Sequence, residues 1–283
     1  MLSRHFVLLN IYMEGKTALI AGGSRGIGLA IAQAFAGQGY DIILVARNQQ
    51  ELDDAKKSIP TQAQAFAVDV TDIVMVKEMI RVIPTLDVLV NAAGVIEPIA
   101  PLENVDPEKW LQLLKINVFG TFLMTRVCIP LLAKRGGTII NFVGGGEGAF
   151  PNFSAYAASK GAIARFTETA AAELTAKNIT VNAIAPGAVN TKMTEDMIAA
   201  GKDAGAQYRE ALKQKDNDAA TPEKAVRFAL WLCSDAARGV TGKIISAQWD
   251  DYEKFPEHAK EIASTDLYTM RRVRPKDRGF SWE

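Results

Sequence analysis

The chain has 283 residues, 48% of them hydrophobic, enough to bury a large core in one α/β domain. Lys plus Arg and Asp plus Glu both total 32, so no net charge draws the protein to nucleic acid or to an anionic membrane surface. Two widely separated cysteines, Cys128 and Cys233, and two histidines near opposite ends, His5 and His258, argue against a disulfide framework, a metal site and a Ser-His-Asp triad, and suit a reducing, cytoplasmic setting.

The opening "MLSRHFVLLNIYMEGK" has a basic residue and an apolar run, Phe6 to Ile11, too short to span a bilayer and lacking a small-residue cleavage site. Residues 1–13 read as a leader strand or arm rather than a signal peptide, with Met13 an alternative start. From Lys16 onward, short apolar runs alternate with helical patterns: "TALIAG", "DIILVA", "AQAFAVDV", "LDVLVNAAG", "GTIINFVG", "ITVNAIAPG" and "GKIISA" are strand candidates with a helix-compatible stretch before each after the first. That alternation predicts a single doubly wound, Rossmann-like α/β domain over 14–249, with a parallel sheet of about seven strands and helices on both faces.

The first strand runs straight into "GGSRGIG", which places Gly22, Gly26 and Gly28 in the turn that opens a helix. Glycines there permit a tight turn, close approach of the backbone to a pyrophosphate and close helix–strand packing, while the helix N-terminus offers free N–H groups. The second strand ends in Ala46 and Arg47, where an NAD-selective protein places a carboxylate. With no acid at that position, Arg47 and Arg25 are available to pair with a 2′-phosphate, and NADP(H) is favoured over NAD(H). The other reading of both arginines is ordinary surface charge.

Between Thr191 and Thr221, Met193, Met197, Ile198 and Tyr208 recur at helical spacing in a charged segment after a strand end, which suits either a helical substrate lid or a solvated helix pair, and the polar composition gives no clear hydrophobic preference. The tail, 250–283, carries Tyr252, Phe255, Tyr268 and Trp282 with Arg271, Arg272, Arg274 and Arg278; it is aromatic enough to pack on its own domain or a neighbouring subunit.

These motifs together resemble the short-chain dehydrogenase/reductase family, of the type that reads T-G-x(3)-G-x-G, N-N-A-G, N, S, Y-x(3)-K and P-G, over about Gly15 to Ala247. Ala21 stands for the first threonine, "NAAG" at Asn91 to Gly94 for N-N-A-G, Asn117 for the tetrad asparagine, Tyr156 and Lys160 for Y-x(3)-K, and "APGAVNT" for the P-G segment. The resemblance implies a dinucleotide bordered by Gly22, Ser24, Arg25, Gly26, Ile27 and Gly28, by Arg47, by Asp69 and Val70 beside the adenine, and by Asn91, Ala92 and Gly94. Pro186, Gly187, Val189 and Thr191 complete the set, Thr191 touching the nicotinamide amide. It also implies that Lys160 bonds the nicotinamide ribose, that Asn117 holds a water linking Lys160 to solvent, and that helices beginning near Pro107 and Tyr156 pair across a two-fold axis in a homodimer or homotetramer.

Tyr156 and Lys160, at i and i+4, share one helical face. A positive charge beside a phenol favours the phenolate, so Tyr156 is expected to titrate below the usual tyrosine range and to exchange a proton with a substrate oxygen. The family's serine is missing: thirteen residues before Tyr156 stands Val143, followed by Gly144, Gly145 and Gly146. Backbone N–H groups of that glycine run, an ordered water or Ser154 are the available substitutes, although Ser154 equally suits a helix cap; Glu147 sits in the same loop as a pocket or solvated acid. "VTGKIISAQWDD" departs from the family's usual end of the last strand, with Trp249 a candidate pocket wall or oligomer contact.

The leading expectation is an NAD(P)-dependent oxidoreductase interconverting a carbonyl and a secondary alcohol, on a keto-acyl, keto-sugar or small ketone substrate, with Tyr156, Lys160 and Asn117 catalytic. A dinucleotide-binding regulatory or scaffolding protein with lost or weak catalysis is the alternative that Val143 motivates. A lyase or epimerase using the same Tyr and Lys is a third.

Overall fold

Aliphatic runs bounded by turns form strands buried on both faces, which is how parallel sheets hold their place between helices. The computed structural model describes residues 15–144, 148–217 and 220–282; the expected arm at 1–13, Gly145, Gly146 and Glu147 lie outside them. All seven expected strands are present: β1 (Thr17–Ala21), β2 (Asp41–Ala46), β3 (Ala63–Ala67), β4 (Val88–Asn91), β5 (Gly137–Phe142), β6 (Ile179–Ala185) and β7 (Ile244–Ser246). They pair in parallel in the order β3-β2-β1-β4-β5-β6-β7. The order reverses beside β1, which pairs Ala21 with Val45 of β2 on one side and with Asn91 of β4 on the other. Ligands of doubly wound sheets bind at that crevice, outside the carboxyl ends of the strands.

The period-2 alternation of each strand sorts its side chains between two cores. Ala18 and Ile20, Ile42 and Leu44, and Val88 and Val90 face α1 (Gly26–Gly37), α2 (Gln49–Lys57) and, later in the chain, a helix at Glu223–Leu232. Leu19 and Ala21, Ile43 and Val45, and Leu89 face α3 (Ile73–Arg81) and the helices that follow β4. Each such fully buried aliphatic side chain contributes about 1.5–3 kcal/mol. Helix starts follow from side-chain chemistry: Asn48 and Asp72 accept two N–H groups each at the first turns of α2 and α3, and Asp106 does the same for α4 (Pro107–Leu114), which has proline at its first position.

A π-helical turn, Lys115–Phe119, joins α4 to α5 (Gly120–Leu132). By length and composition 107–132 could cross a membrane, but Leu123, Met124, Cys128 and Leu132 are in the core beneath the sheet. After β5 comes the longest helix, α6 (Ser154–Leu174).

The segment after β6 folds as α7 (Lys192–Ala200), a 3-10 turn at Gly201–Ala204, and α8 (Ala206–Lys215), followed by α9 (Glu223–Leu232). Thr191 and Thr194 form a capping box at the start of α7. The polar composition hides an apolar inner side: Met193, Met197, Ala200 and Tyr208 pack with Ile96, Leu113, Phe153 and Tyr156. Asn152, in the left-handed region at φ 71°, pins the segment by donating to the Asp203 carbonyl at 2.9 Å.

The tail lies on its own domain over much of its length. Tyr252 and Phe255 pack on Phe228 and Trp231, Ile262 of α10 (Ala259–Ser264) joins the same core, and Tyr268 stacks on Phe255. Tyr268 also covers the edge of β7, its carbonyl accepting from the Ile244 N–H at 2.8 Å, while Lys243 Nζ donates to the Thr265 and Leu267 carbonyls. An exposed strand edge is a template for unwanted pairing, and here the chain occupies it itself. Trp249 and Trp282 are exposed, and Trp249 does not line the main cleft.

Candidate active site

A cleft of about 650 Å³ opens at the switch point between β1 and β4. Its floor is the glycine turn. Gly22 has φ +81°, and a Cβ there would stand 2.5 Å from the Ala93 nitrogen; a Cβ on Gly28 would stand 2.2 Å from the Gly22 carbonyl oxygen. Backbone fills the place of side chains at both positions, and α1 begins with neither a side-chain cap nor an acid in its first turn, leaving its N–H groups for an anion. This cradle fits a dinucleotide. Gly28→Ala forces two backbone segments apart and is expected to cost about 2 kcal/mol in urea unfolding, with dinucleotide affinity falling by at least about tenfold; a variant of unchanged stability would mean that the turn has slack.

Of the expected cofactor residues, Gly22, Ser24, Arg25, Gly26, Ile27, Gly28, Arg47, Asp69, Val70, Ala92, Gly94 and Thr191 line the cleft. Pro186, Gly187 and Val189 do not; they form the turn that carries Asn190 and Thr191 to it. Asn91 does not line the cleft either. Its amide nitrogen donates to Thr125 Oγ1 at 3.1 Å and to Asn141 Oδ1 at 2.9 Å, so the side chain belongs to a buried polar network in the sheet rather than to the cleft. No acid stands at the end of β2, but Glu51, in the first turn of α2, lines the cleft, accepts from Ser24 Oγ at 2.9 Å and lies 3.5 Å from Arg25.

Beyond the inner end of the cleft, Val95 and Met193 serve both as cleft wall and as part of the apolar cluster around Tyr156. Tyr156 is 8% exposed and Lys160 7%, both on α6. Lys160 Nζ donates to the Phe142 carbonyl at 3.0 Å, at the end of β5, and lies 5.5 Å from the centre of the Tyr156 ring. The phenol was expected to titrate low; instead burial pushes Tyr156 up to about 12, and burial pulls Lys160 down to about 8. Removing both groups from water outweighs the attraction between ammonium and phenolate. At neutral pH the phenol is therefore a proton donor, and Lys160 retains most of its charge.

Asn117 is fully buried in the π-helical turn, and its side chain is committed. The amide oxygen accepts from Val95 N–H at 2.8 Å, and the amide nitrogen donates to the Val95 carbonyl at 2.9 Å and to Ser159 Oγ at 3.1 Å. It locks the loop after β4 to α6 beside Tyr156, while its main-chain carbonyl accepts from Thr121 Oγ1 at 2.7 Å. Asn117→Ala takes the partner from the Val95 N–H and carbonyl, while Ser159 Oγ keeps its bond to the Tyr156 carbonyl at 2.7 Å, and is expected to cost about 2 kcal/mol by chemical denaturation; a loss below about 0.5 kcal/mol would show that the network relaxes without it.

The missing serine is also placed differently. Val143 points into a small core cluster with Ile163, Ala164 and Ala183. Gly144 is the residue against the phenol: a Cβ there would stand 2.9 Å from Tyr156 Oη. Counting back along the loop thus selects the wrong neighbour, although neither position offers a hydroxyl. Ser154 neither caps α6 nor meets the phenol; its Oγ accepts from Trp110 Nε1 at 3.2 Å. The backbone donors expected at Gly145 and Gly146, and Glu147, lie outside the described residues.

A short chain dehydrogenase family model matches residues 16–201. A 3-oxoacyl-[acyl-carrier-protein] reductase of Thermotoga maritima is 34% identical over 243 residues, covering 82% of this chain and 96% of the relative. An NAD+-bound xylitol dehydrogenase superposes with a TM-score of 0.74 at 28% identity, over 83% of this chain and 98% of its own. An actinorhodin polyketide ketoreductase with NADPH gives a TM-score of 0.74 at 25% identity, over 82% of this chain and 95% of its own.

Proposed function

Because the chain belongs to the short-chain dehydrogenase family, whose members are oxidoreductases typically interconverting carbonyls and alcohols with a nicotinamide dinucleotide, we propose that it reduces a ketone to a secondary alcohol with Tyr156 as the proton donor. The observation that carries this direction is the neutral, buried phenol next to the inner end of the cleft, pushed up to about 12. When bound, the dinucleotide supplies the hydride that goes to the carbonyl carbon.

The chain's own residues do the rest. The glycine turn and the first N–H groups of α1 hold the pyrophosphate, Asp69 and Val70 border the adenine, and Arg25 and Arg47 favour NADP(H) over NAD(H). Tyr156 Oη gives its proton to the carbonyl oxygen as the alcohol forms, and the Lys160 ammonium offsets the charge of the phenolate left behind. Asn117 fixes the loop wall against α6. Residues 191–221 act as a lid whose inner face, Met193 and Met197, excludes water from the phenol.

The walls around Tyr156 are apolar, with Ile96, Phe150, Phe153 and Met193, which suits a keto-acyl or other apolar ketone better than a keto-sugar. Both the Thermotoga reductase and the polyketide ketoreductase are named for substrates of the keto-acyl kind. Calorimetry with each coenzyme, joined to an absorbance assay of NADPH and NADH consumption over ketones, keto-acyl thioesters and keto-sugars, tests the proposal: turnover of apolar ketones with NADPH supports it.

A second reading, a dinucleotide-binding protein with weak catalysis, is favoured by Gly144, because no hydroxyl stands beside the phenol to share the carbonyl oxygen. Loss of one such donor costs on the order of 3 kcal/mol in comparable oxyanion sites. Tight coenzyme binding without consumption on any carbonyl would favour that reading.

A further inference from the structure

At the outer end of the cleft four polar side chains meet: Ser24 and Arg25 from the glycine turn, Arg47 after β2, and Glu51 from α2. Glu51 is held there by its helix, whose cap Asn48 accepts the Glu51 N–H at 3.3 Å. One carboxylate oxygen takes the Ser24 hydroxyl at 2.9 Å, and the other lies 3.5 Å from Arg25 Nη1. Arg47 has no ion pair among the described residues, so the two arginines differ: one is bound to an acid and one is available.

We propose that Glu51 determines coenzyme preference by holding Ser24 and Arg25 away from a 2′-phosphate and by repelling that phosphate directly. This rests on the dinucleotide reading of the cleft. A ribose with a free 2′-hydroxyl is a donor that a carboxylate accepts, whereas a 2′-phosphate carries about −1.5 to −2 charge and competes with the carboxylate for the same guanidinium. Arg47 attracts the phosphate and Glu51 opposes it, so Glu51 narrows the preference for NADP(H) that the arginines create. The Arg25 and Glu51 side chains are 60% and 37% exposed, and the opposition is therefore sensitive to salt.

Neutralising Glu51 releases Arg25. In isothermal titration calorimetry of the full chain with NADP+ and with NAD+ at low ionic strength, Glu51→Gln and Glu51→Ala are expected to lower the NADP+ Kd by about tenfold and to leave the NAD+ Kd unchanged or weaker. The gain shrinks as salt is raised through physiological strength. Both substitutions are on the surface of α2, and circular dichroism verifies that each variant is folded. If both ligands bind and the ratio of their Kd values moves by less than about twofold in both folded variants, the inference is overturned while the dinucleotide reading stands. If neither ligand binds the wild-type protein, the dinucleotide reading falls and this inference falls with it.

Discussion

Tyr156→Phe is expected to lower kcat for ketone reduction by about a thousandfold and to change coenzyme affinity by less than about threefold. The substitution removes a single oxygen. The ring keeps its place, since Phe150 and Phe153 pack in the same apolar cluster and Gly144 stands against the phenol oxygen. The lost group is the proposed proton donor, and among the described residues the neighbouring side chains are otherwise engaged: Ser154 serves Trp110, Asn117 serves Val95 and Ser159, and Lys160 Nζ lies over the ring and donates to the Phe142 carbonyl. Steady-state kinetics of wild type and variant on the best ketone of the panel check this. A variant within about tenfold of wild type would move the proton source to solvent and leave Tyr156 as packing.

Lys160→Met is expected to abolish measurable reduction and yet make the folded chain more stable at pH 7, by on the order of 3 kcal/mol. An unfolded lysine titrates near 10.5 and buried Lys160 at about 8, so between those values the unfolded chain binds more protons than the folded one and stability rises with pH. Below pH 8 the cost of the buried ammonium is present in full; through 8 toward 10.5 it disappears, and with it the advantage of the methionine variant. Tyr156 has the opposite sign, its stabilising neutrality being present below pH 10 and lost toward 12, but it is common to both proteins and cancels in the difference. Urea unfolding of both proteins at several values from pH 7 to 10 measures the difference directly. A constant difference over that span would mean that Lys160 titrates as it does in water. In the proposed reaction the ammonium is kept at the expense of stability for its charge beside the phenol.

The sheet was legible because parallel strands must be apolar on both faces, and runs such as "DIILVA" have no other stable home in a chain of this composition. The glycine turn was equally legible, since Gly22 and Gly28 are required by backbone contacts of a kind that motif spacing encodes. What the sequence hid depends on where side chains turn after the elements are placed. Asn91 and Asn117 sit on motif positions but direct their amides into the protein. Glu51 reaches the cleft because α2 starts at Asn48 and turns its first acid toward the glycine loop, and the cap together with an acid three residues later was the available signal.

Titration was the hardest to foresee. Proximity of Tyr156 and Lys160 follows from a four-residue spacing, but the apolar cluster that buries the phenol includes Met193 and Met197, which arrive from an element far along the chain. Burial reverses the expected shift of the phenol. The helices after β6 show the same limit: their composition is polar, and only their register against Ile96 and Leu113 reveals an apolar inner face.

The most direct test of the proposed reaction is to supply a coenzyme deuterated at the transferable position of the nicotinamide with the best apolar ketone and to locate the label by NMR. Deuterium on the carbinol carbon of the product, in wild type and not in Tyr156→Phe, is the result that hydride transfer coupled to the Tyr156 proton requires. Product carrying only solvent hydrogen at that carbon, or no product from any ketone while the coenzyme binds tightly, would contradict it.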